Sequence, residues 1–151
     1  MKKITIARYL ITIFGIGMSL AYGTMANDLM NVQYSVYAPS TIDTSTNPTV
    51  ISYKINFTYN GMIYEINISS VTIEFRNGSK DGPIIAKNSS AVFLMPHESK
   101  IATITITIDN KTAAEIVSRA YTVYYVVKVY VKVQFYGREI VSAVLEQWDV
   151  Y

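Results

Sequence analysis

Apolar and polar residues alternate with period two along most of the chain, the spacing of strands whose two faces meet different surroundings. Met30, Val32, Tyr34 and Val36 alternate with Asn31, Gln33 and Ser35, predicting a strand over Met30–Ala38. Ile51, Tyr53, Ile55 and Phe57 alternate with Ser52, Lys54, Asn56 and Thr58. Asn60-Gly61 follows, the strongest short hairpin signal because both turn positions take positive φ. The expected return strand sets Met62, Tyr64, Ile66 and Ile68 against Glu65 and Asn67, bends at Ser69-Ser70, and resumes with Val71, Ile73 and Phe75.

The run from Asn77-Gly78 to Gly82-Pro83 is a turn-rich break, and Ala91–Met95 reads as a short strand stopped by Pro96. Over Lys100–Ile108 the residues Ile104, Ile106 and Ile108 face inward, while Thr103, Thr105 and Thr107 face out. Thr112-Ala-Ala-Glu115 has the spacing of a capping box and predicts one short helix through Ala120. Tyr121–Tyr136 follows as a long strand with Val123, Val127, Val129, Val131, Val133 and Phe135 on one face. Gly137-Arg138 turns it into Glu139–Val150. About seven or eight strands with regular turns predict an Ig-like antiparallel β-sandwich, with Ile104, Ile106, Val129 and Val131 buried on facing sheets.

Before the strands lies a different pattern. Lys2, Lys3 and Arg8 precede Tyr9–Ala26, which carries no charge before Asn27-Asp28. A basic flank before an apolar run holds the N-terminus in the cytoplasm and sends the rest outward. As a helix this stretch spans about 27 Å, close to a bilayer's hydrocarbon core. The expected organisation is a transmembrane or signal-anchor helix in residues 1–28 and an extracytoplasmic domain in residues 29–151. The helix is expected to project away from the sandwich. Gly15, Ser19 and Gly23 form a small-residue stripe suited to close helix packing in lipid. Thr24-Met25-Ala26 leaves a second route open, cleavage by a signal peptidase and release.

Composition narrows the function. With 151 residues the chain has room for one full core, and its mean hydropathy of +0.22 excludes intrinsic disorder. A net charge of +2 without a dense basic run argues against nucleic acid as a partner. The absence of cysteine removes disulfides, zinc–thiolate sites and iron–sulfur clusters, and the single His97 lies in an expected exposed turn. The carboxylates are scattered, and no phosphate loop, nucleophile elbow or metal-ligand spacing occurs, so no catalytic, metal or cofactor site is expected.

Five Asn-x-Ser/Thr triplets begin at Asn56, Asn67, Asn77, Asn88 and Asn110. Asn56 and Asn67 fall on outward strand faces, and Asn77, Asn88 and Asn110 fall in expected turns. These are candidate N-glycosylation sites, which an exported chain would carry on its surface. Sequons without cysteine fit a glycosylating prokaryotic surface, archaeal for preference. Thirteen tyrosines are also present, and Tyr124, Tyr130 and Tyr136 fall on the polar side of one strand with Lys128 and Lys132. That side is a candidate contact face.

Residues Val50 to Gln147 resemble the LEA14-like water-stress and hypersensitive-response (LEA-2 type) β-sandwich domains. The resemblance is carried by the strands around Asn60-Gly61, the segment Ala91-Val-Phe-Leu-Met-Pro-His-Glu-Ser, the threonine-alternating strand Lys100–Ile108, the short helix from Thr112 and the final hairpin. The usual Asn-Pro opening of the first strand is missing, since Asn47-Pro48 lies in the preceding linker. The resemblance implies a sandwich, often behind an N-terminal anchor, and a non-enzymatic role. Three roles follow. One is a membrane-anchored surface protein working by contact with a protein partner or with itself, either structurally or as an accessory subunit of a membrane complex. The second is an exported filament subunit in which Met30–Ala38 completes a neighbour's sheet. The third is a non-catalytic small subunit of a membrane quinone-linked oxidoreductase.

Overall fold

The computed structural model describes residues 19–39 and 41–151. Seven strands follow a helical stretch, α1 (residues 19–30): β1 (Val32–Tyr37), β2 (Thr49–Tyr59), β3 (Glu65–Asn77), β4 (Ile84–Leu94), β5 (Glu98–Ile108), β6 (Val123–Phe135) and β7 (Arg138–Val150). A second helix, α2 (Asn110–Val117), joins β5 to β6. The strands form two antiparallel sheets, β1-β2-β5 and β4-β3-β6-β7.

The core is the apolar phase of the alternation. Ile51, Tyr53, Ile55 and Phe57 of β2 and Ile104 and Ile106 of β5 meet Ile66, Ile68, Val71, Ile73 and Phe75 of β3 and Val127–Val133 of β6, all buried at the odd β6 positions. Ile104, Ile106, Val129 and Val131 are each no more than 1% exposed, as their register requires. Ser69-Ser70 is a β-bulge in β3, where the pairing to both β4 and β6 shifts. On one long side the sheets are laced together: Asn88 Nδ2 donates to the Thr105 carbonyl (2.6 Å) and Lys100 Nζ to the Phe93 carbonyl (2.7 Å).

Several local expectations are corrected. Asn60-Gly61 is not a hairpin turn, because β2 and β3 lie in different sheets and the connection crosses between them. Gly61 is needed for space instead: a Cβ there would run into the Tyr59 ring. The two-residue turn is at Tyr136-Gly137, with φ of 49° and 72°, one residue earlier than expected and between β6 and β7. Met30 and Met62 are exposed at 83% and 78% rather than inward, because both lie outside the strands. β4 begins at Ile84, well before Ala91. Phe135, at the end of β6, is 43% exposed.

α2 starts earlier than the Thr112 box suggested. Asp109 is the N-cap, its carboxylate accepting from Thr112 N (2.9 Å) and Thr112 Oγ1 (2.6 Å). The helix stops at Val117, and Arg119 adopts a left-handed φ of 55°. His97 is exposed with φ of 60° after Pro96, and Glu98 N bonds the Met95 carbonyl at 3.1 Å, closing a tight turn between β4 and β5.

α1 runs past Ala26 to residue 30, and its C-terminal turns pack on the sandwich rather than pointing away. Met25 is buried, and Thr24 Oγ1 lies 3.2 Å from Tyr64 Oη. Asp28, the first charge after the apolar stretch, is 3% exposed. Its Oδ2 accepts from Tyr64 N (3.1 Å) and Ile63 N (3.2 Å) and lies 2.9 Å from Tyr59 Oη. Among the described residues no helix is long and apolar enough to cross a membrane. Tyr9–Met18, with Gly15, lies outside the described residues, and of the small-residue stripe Ser19 and Gly23 are exposed.

Candidate interaction face

The expected contact residues lie on the outer face of the four-stranded sheet. Even-numbered β6 residues point away from the core, and the register aligns them into rows across four strands. Lys87, Glu74, Val126 and Trp148 form one row; Ser89, Thr72, Lys128 and Glu146 form the next. Ile84, Arg76, Tyr124 and Val150 lie on one side of this pair. Tyr130 and Val144 are neighbours further along, followed by Lys132 and Ser142. Tyr124, Lys128, Tyr130 and Lys132 therefore share the face. Tyr136 does not, because it occupies the β6–β7 turn, where it is 86% exposed and packs edge-on against Phe135.

At the centre is a charge cluster. Arg76 Nε donates to Glu74 Oε2 at 2.8 Å, Arg76 Nη2 makes a second, shorter bond to the same oxygen, and Lys128 Nζ lies 3.4 Å away. Burial disfavours the Glu74 carboxylate, but the bond from Arg76 and the charges of Lys128 and Arg76 outweigh it and hold its pKa below the ordinary value. Arg76 Nη1 also donates to the Gly82 carbonyl (3.0 Å), which ties the cluster to the β3–β4 connection. At the other end Lys132 pairs with Glu139 at 2.7 Å.

The face also holds apolar surface. Val126 points outward between Glu74 and Trp148, yet it is fully buried and stands apart from the core cluster. The Trp148 ring is tilted against that of Tyr124, with centroids 6.0 Å apart. Tyr130, Val144 and Trp148 remain 40%, 56% and 49% exposed. Alternation along β6 identified Tyr124, Lys128, Tyr130 and Lys132 but missed Val126 on the same strand and Glu74, Arg76 and Trp148 on its neighbours. Only the strand order brings β3 and β7 to either side of β6.

A cleft of about 590 Å³ opens at the α2 end, between Pro39, Ile42, Ile116, Arg119, Tyr125 and Tyr151. Among the described residues no group of three or more histidine, aspartate or glutamate side chains could hold a metal ion. The five sequons occupy different settings. Asn56 and Asn67 lie half-buried on outward strand faces. Asn77 is exposed at the end of β3. Asn88 and Asn110, expected in turns, lie on β4 and in the first turn of α2.

No family model matches the chain, and no curated protein matches it. Solved structures similar to it include a protein from Archaeoglobus fulgidus, at 12% identity over 79% of this chain and 94% of that one, with a TM-score of 0.46. A solution structure from Arabidopsis thaliana is similar at 13% identity over 78% and 76%, with a TM-score of 0.47. A bacterial adhesin from Mobiluncus mulieris is similar at 10% identity over 77% of this chain and 48% of that one, with a TM-score of 0.40.

Proposed function

We propose that the chain is a membrane-anchored, surface-exposed β-sandwich of the LEA-2 type that works through protein contact, as an accessory subunit of a membrane complex. The observation that carries this reading is the outer face of the four-stranded sheet. Exposed Tyr130, Val144 and Trp148 flank a charge cluster already fixed in place, giving apolar area for affinity and oriented charge for selectivity. Anchoring rests on the basic flank and the uncharged Tyr9–Ala26 stretch. The clasp around Asp28 would then hold the domain at a set attitude to the membrane. A filament subunit donating Met30–Ala38 would first have to free Val32–Tyr37 from β2, with which it pairs in its own chain.

The test uses the full chain in its native membranes. Alkaline carbonate should leave it in the pellet, and protease added to intact cells should cut the domain. On native gels Val144→Asp and Trp148→Asp should release it from its complex, whereas Thr103→Asp on the opposite sheet should not. Extraction by carbonate, protection from protease, or a complex indifferent to both face variants would defeat the reading.

A further inference from the structure

The five sequons differ in what the fold leaves free. Transfer of a glycan to a folded domain requires access to the asparagine amide and to the hydroxyl two residues later. Asn56 is on β2 and Asn67 on β3, both interior strands paired on two sides. Their hydroxyl partners are engaged as well: Ser99 Oγ donates to Thr58 Oγ1 (3.2 Å), and Ser69 Oγ donates to the Tyr130 carbonyl (3.3 Å). The Asn88 amide is tied across the sandwich to Thr105 and accepts from Ser89 N at 2.8 Å. Asn110 Oδ1 accepts from Thr49 Oγ1 (3.3 Å), and Thr112 Oγ1 is held by the Asp109 cap.

Asn77-Gly78-Ser79 is built differently. Asn77 ends β3, Gly78 has a φ of 76°, and Asn77 and Ser79 are both exposed. Among the described residues neither the Asn77 amide nor the Ser79 hydroxyl makes a hydrogen bond. The backbone is nevertheless fixed, by Asn77 N to the Pro83 carbonyl (3.0 Å) and Gly78 N to the Thr122 carbonyl (2.8 Å). β3 runs from Glu65, beside the Tyr64 that meets α1, to Asn77, about 40 Å away at the opposite pole.

We propose that Asn77 is the sequon of the folded domain that carries an N-linked glycan, at the pole away from α1. The donor is a lipid-phosphate-linked oligosaccharide, used by an oligosaccharyltransferase outside the cytoplasm. Asn77 Nδ2 attacks the anomeric carbon, and a C–N bond forms as the C–O bond to the lipid phosphate breaks. The phosphate leaves with the electron pair, and the amide gives up one proton to a base. The proposal rests on the reading of the domain as exported.

Intact mass and glycopeptide mapping of the full chain from its native cells test it, alongside protease accessibility on those cells. The expected result is one glycan, at Asn77, lost in Asn77→Gln and in Ser79→Ala, retained in Ser79→Thr and unaffected by Asn56→Gln. An accessible domain with the mass of the bare polypeptide, or with its glycan at another sequon, overturns the proposal and leaves the functional reading intact. A domain protected inside the cell overturns both.

Discussion

Tyr59 Oη lies 2.9 Å from Asp28 Oδ2, a contact between residues 31 apart that joins the end of α1 to the corner where the chain crosses from one sheet to the other. The same hydroxyl is 2.8 Å from the Tyr64 carbonyl, so its single proton serves either acceptor. The Asp28 carboxylate in turn satisfies the amides of Ile63 and Tyr64, which the crossover removes from any strand ladder. One buried charge thus completes the hydrogen bonding of a connection with no sheet partner.

Replacing Asp28 with alanine leaves two backbone amides without an acceptor, that of Tyr64 buried and that of Ile63 partly buried. A loss of about 2–3 kcal/mol is expected, against about 1 kcal/mol for Tyr59→Phe. The two should be less than additive, since they share a partner. Urea unfolding of both single variants and the double variant measures this, and exchange of the Ile63 and Tyr64 amides should speed up in Asp28→Ala. Unchanged exchange would count against the clasp.

Acid should act mainly through the two buried carboxylates, beside the exposed Asp43 and Asp109 and the half-buried Glu98, whose pKa values local hydrogen bonds also lower. Burial opposes ionisation of both Asp28 and Glu74, but the first is held below its ordinary pKa by the amides of Tyr64 and Ile63 and by Tyr59, and the second by Arg76 and Lys128. A depressed folded pKa means that the unfolded chain binds more protons as the pH falls. The stabilisation is therefore complete above the usual carboxylate range near pH ~4 and is lost as the pH drops through the folded values. Urea midpoints should be level from about pH 5 to 7 and fall below it, with a flatter profile in Asp28→Asn/Glu74→Gln. A double variant with the parental acid slope would place the effect elsewhere.

What the sequence made legible follows the range of each signal. The inward phase of β2, β5 and β6 was readable because alternation is local, and Ile104 and Val129 needed no knowledge of their partners. Asn60-Gly61 also carries a local signal, but sheet membership decided that segment, and the positive-φ turn formed at Tyr136-Gly137 instead. Asp109 displaced Thr112 as the cap because it stands one turn earlier and bonds both the amide and the hydroxyl of Thr112. Asp28 and Val126 were not readable at all. The burial of one comes from amides 35 and 36 residues away, and that of the other from ladder neighbours on β3 and β7.

Two glycines should respond to alanine for different reasons. At Gly61 the new methyl meets the Tyr59 ring, itself held by Asp28, so a loss of about 2–3 kcal/mol is expected. At Gly137 nothing lies within 4 Å, and only the left-handed φ of 72° is strained, which costs about 1 kcal/mol. Urea unfolding separates the two, and Gly137→Asn should recover part of its loss, because asparagine tolerates that conformation. Equal losses at the two sites would mean that the Tyr59 ring moves aside.

Tyr53 presents the opposite case, a polar group that the fold would do better without. Its ring is fully buried, edge-on to Phe75 at 5.9 Å and tilted against Tyr125 at 6.0 Å, and its hydroxyl has no hydrogen-bond partner. Burial raises its pKa, as do the nearby phenols of Tyr151 and Tyr125, so the group stays neutral. Tyr53→Phe keeps both ring contacts and removes the unsatisfied hydroxyl. The expected result is no loss, or a gain of up to about 1 kcal/mol, in urea unfolding. Tyr53→Leu loses the ring packing and should cost about 2 kcal/mol or more, which shows that the site is sensitive to shape. A loss in Tyr53→Phe matching that in Tyr53→Leu would show that the hydroxyl is satisfied in solution, by a buried water between Tyr53 and Tyr151.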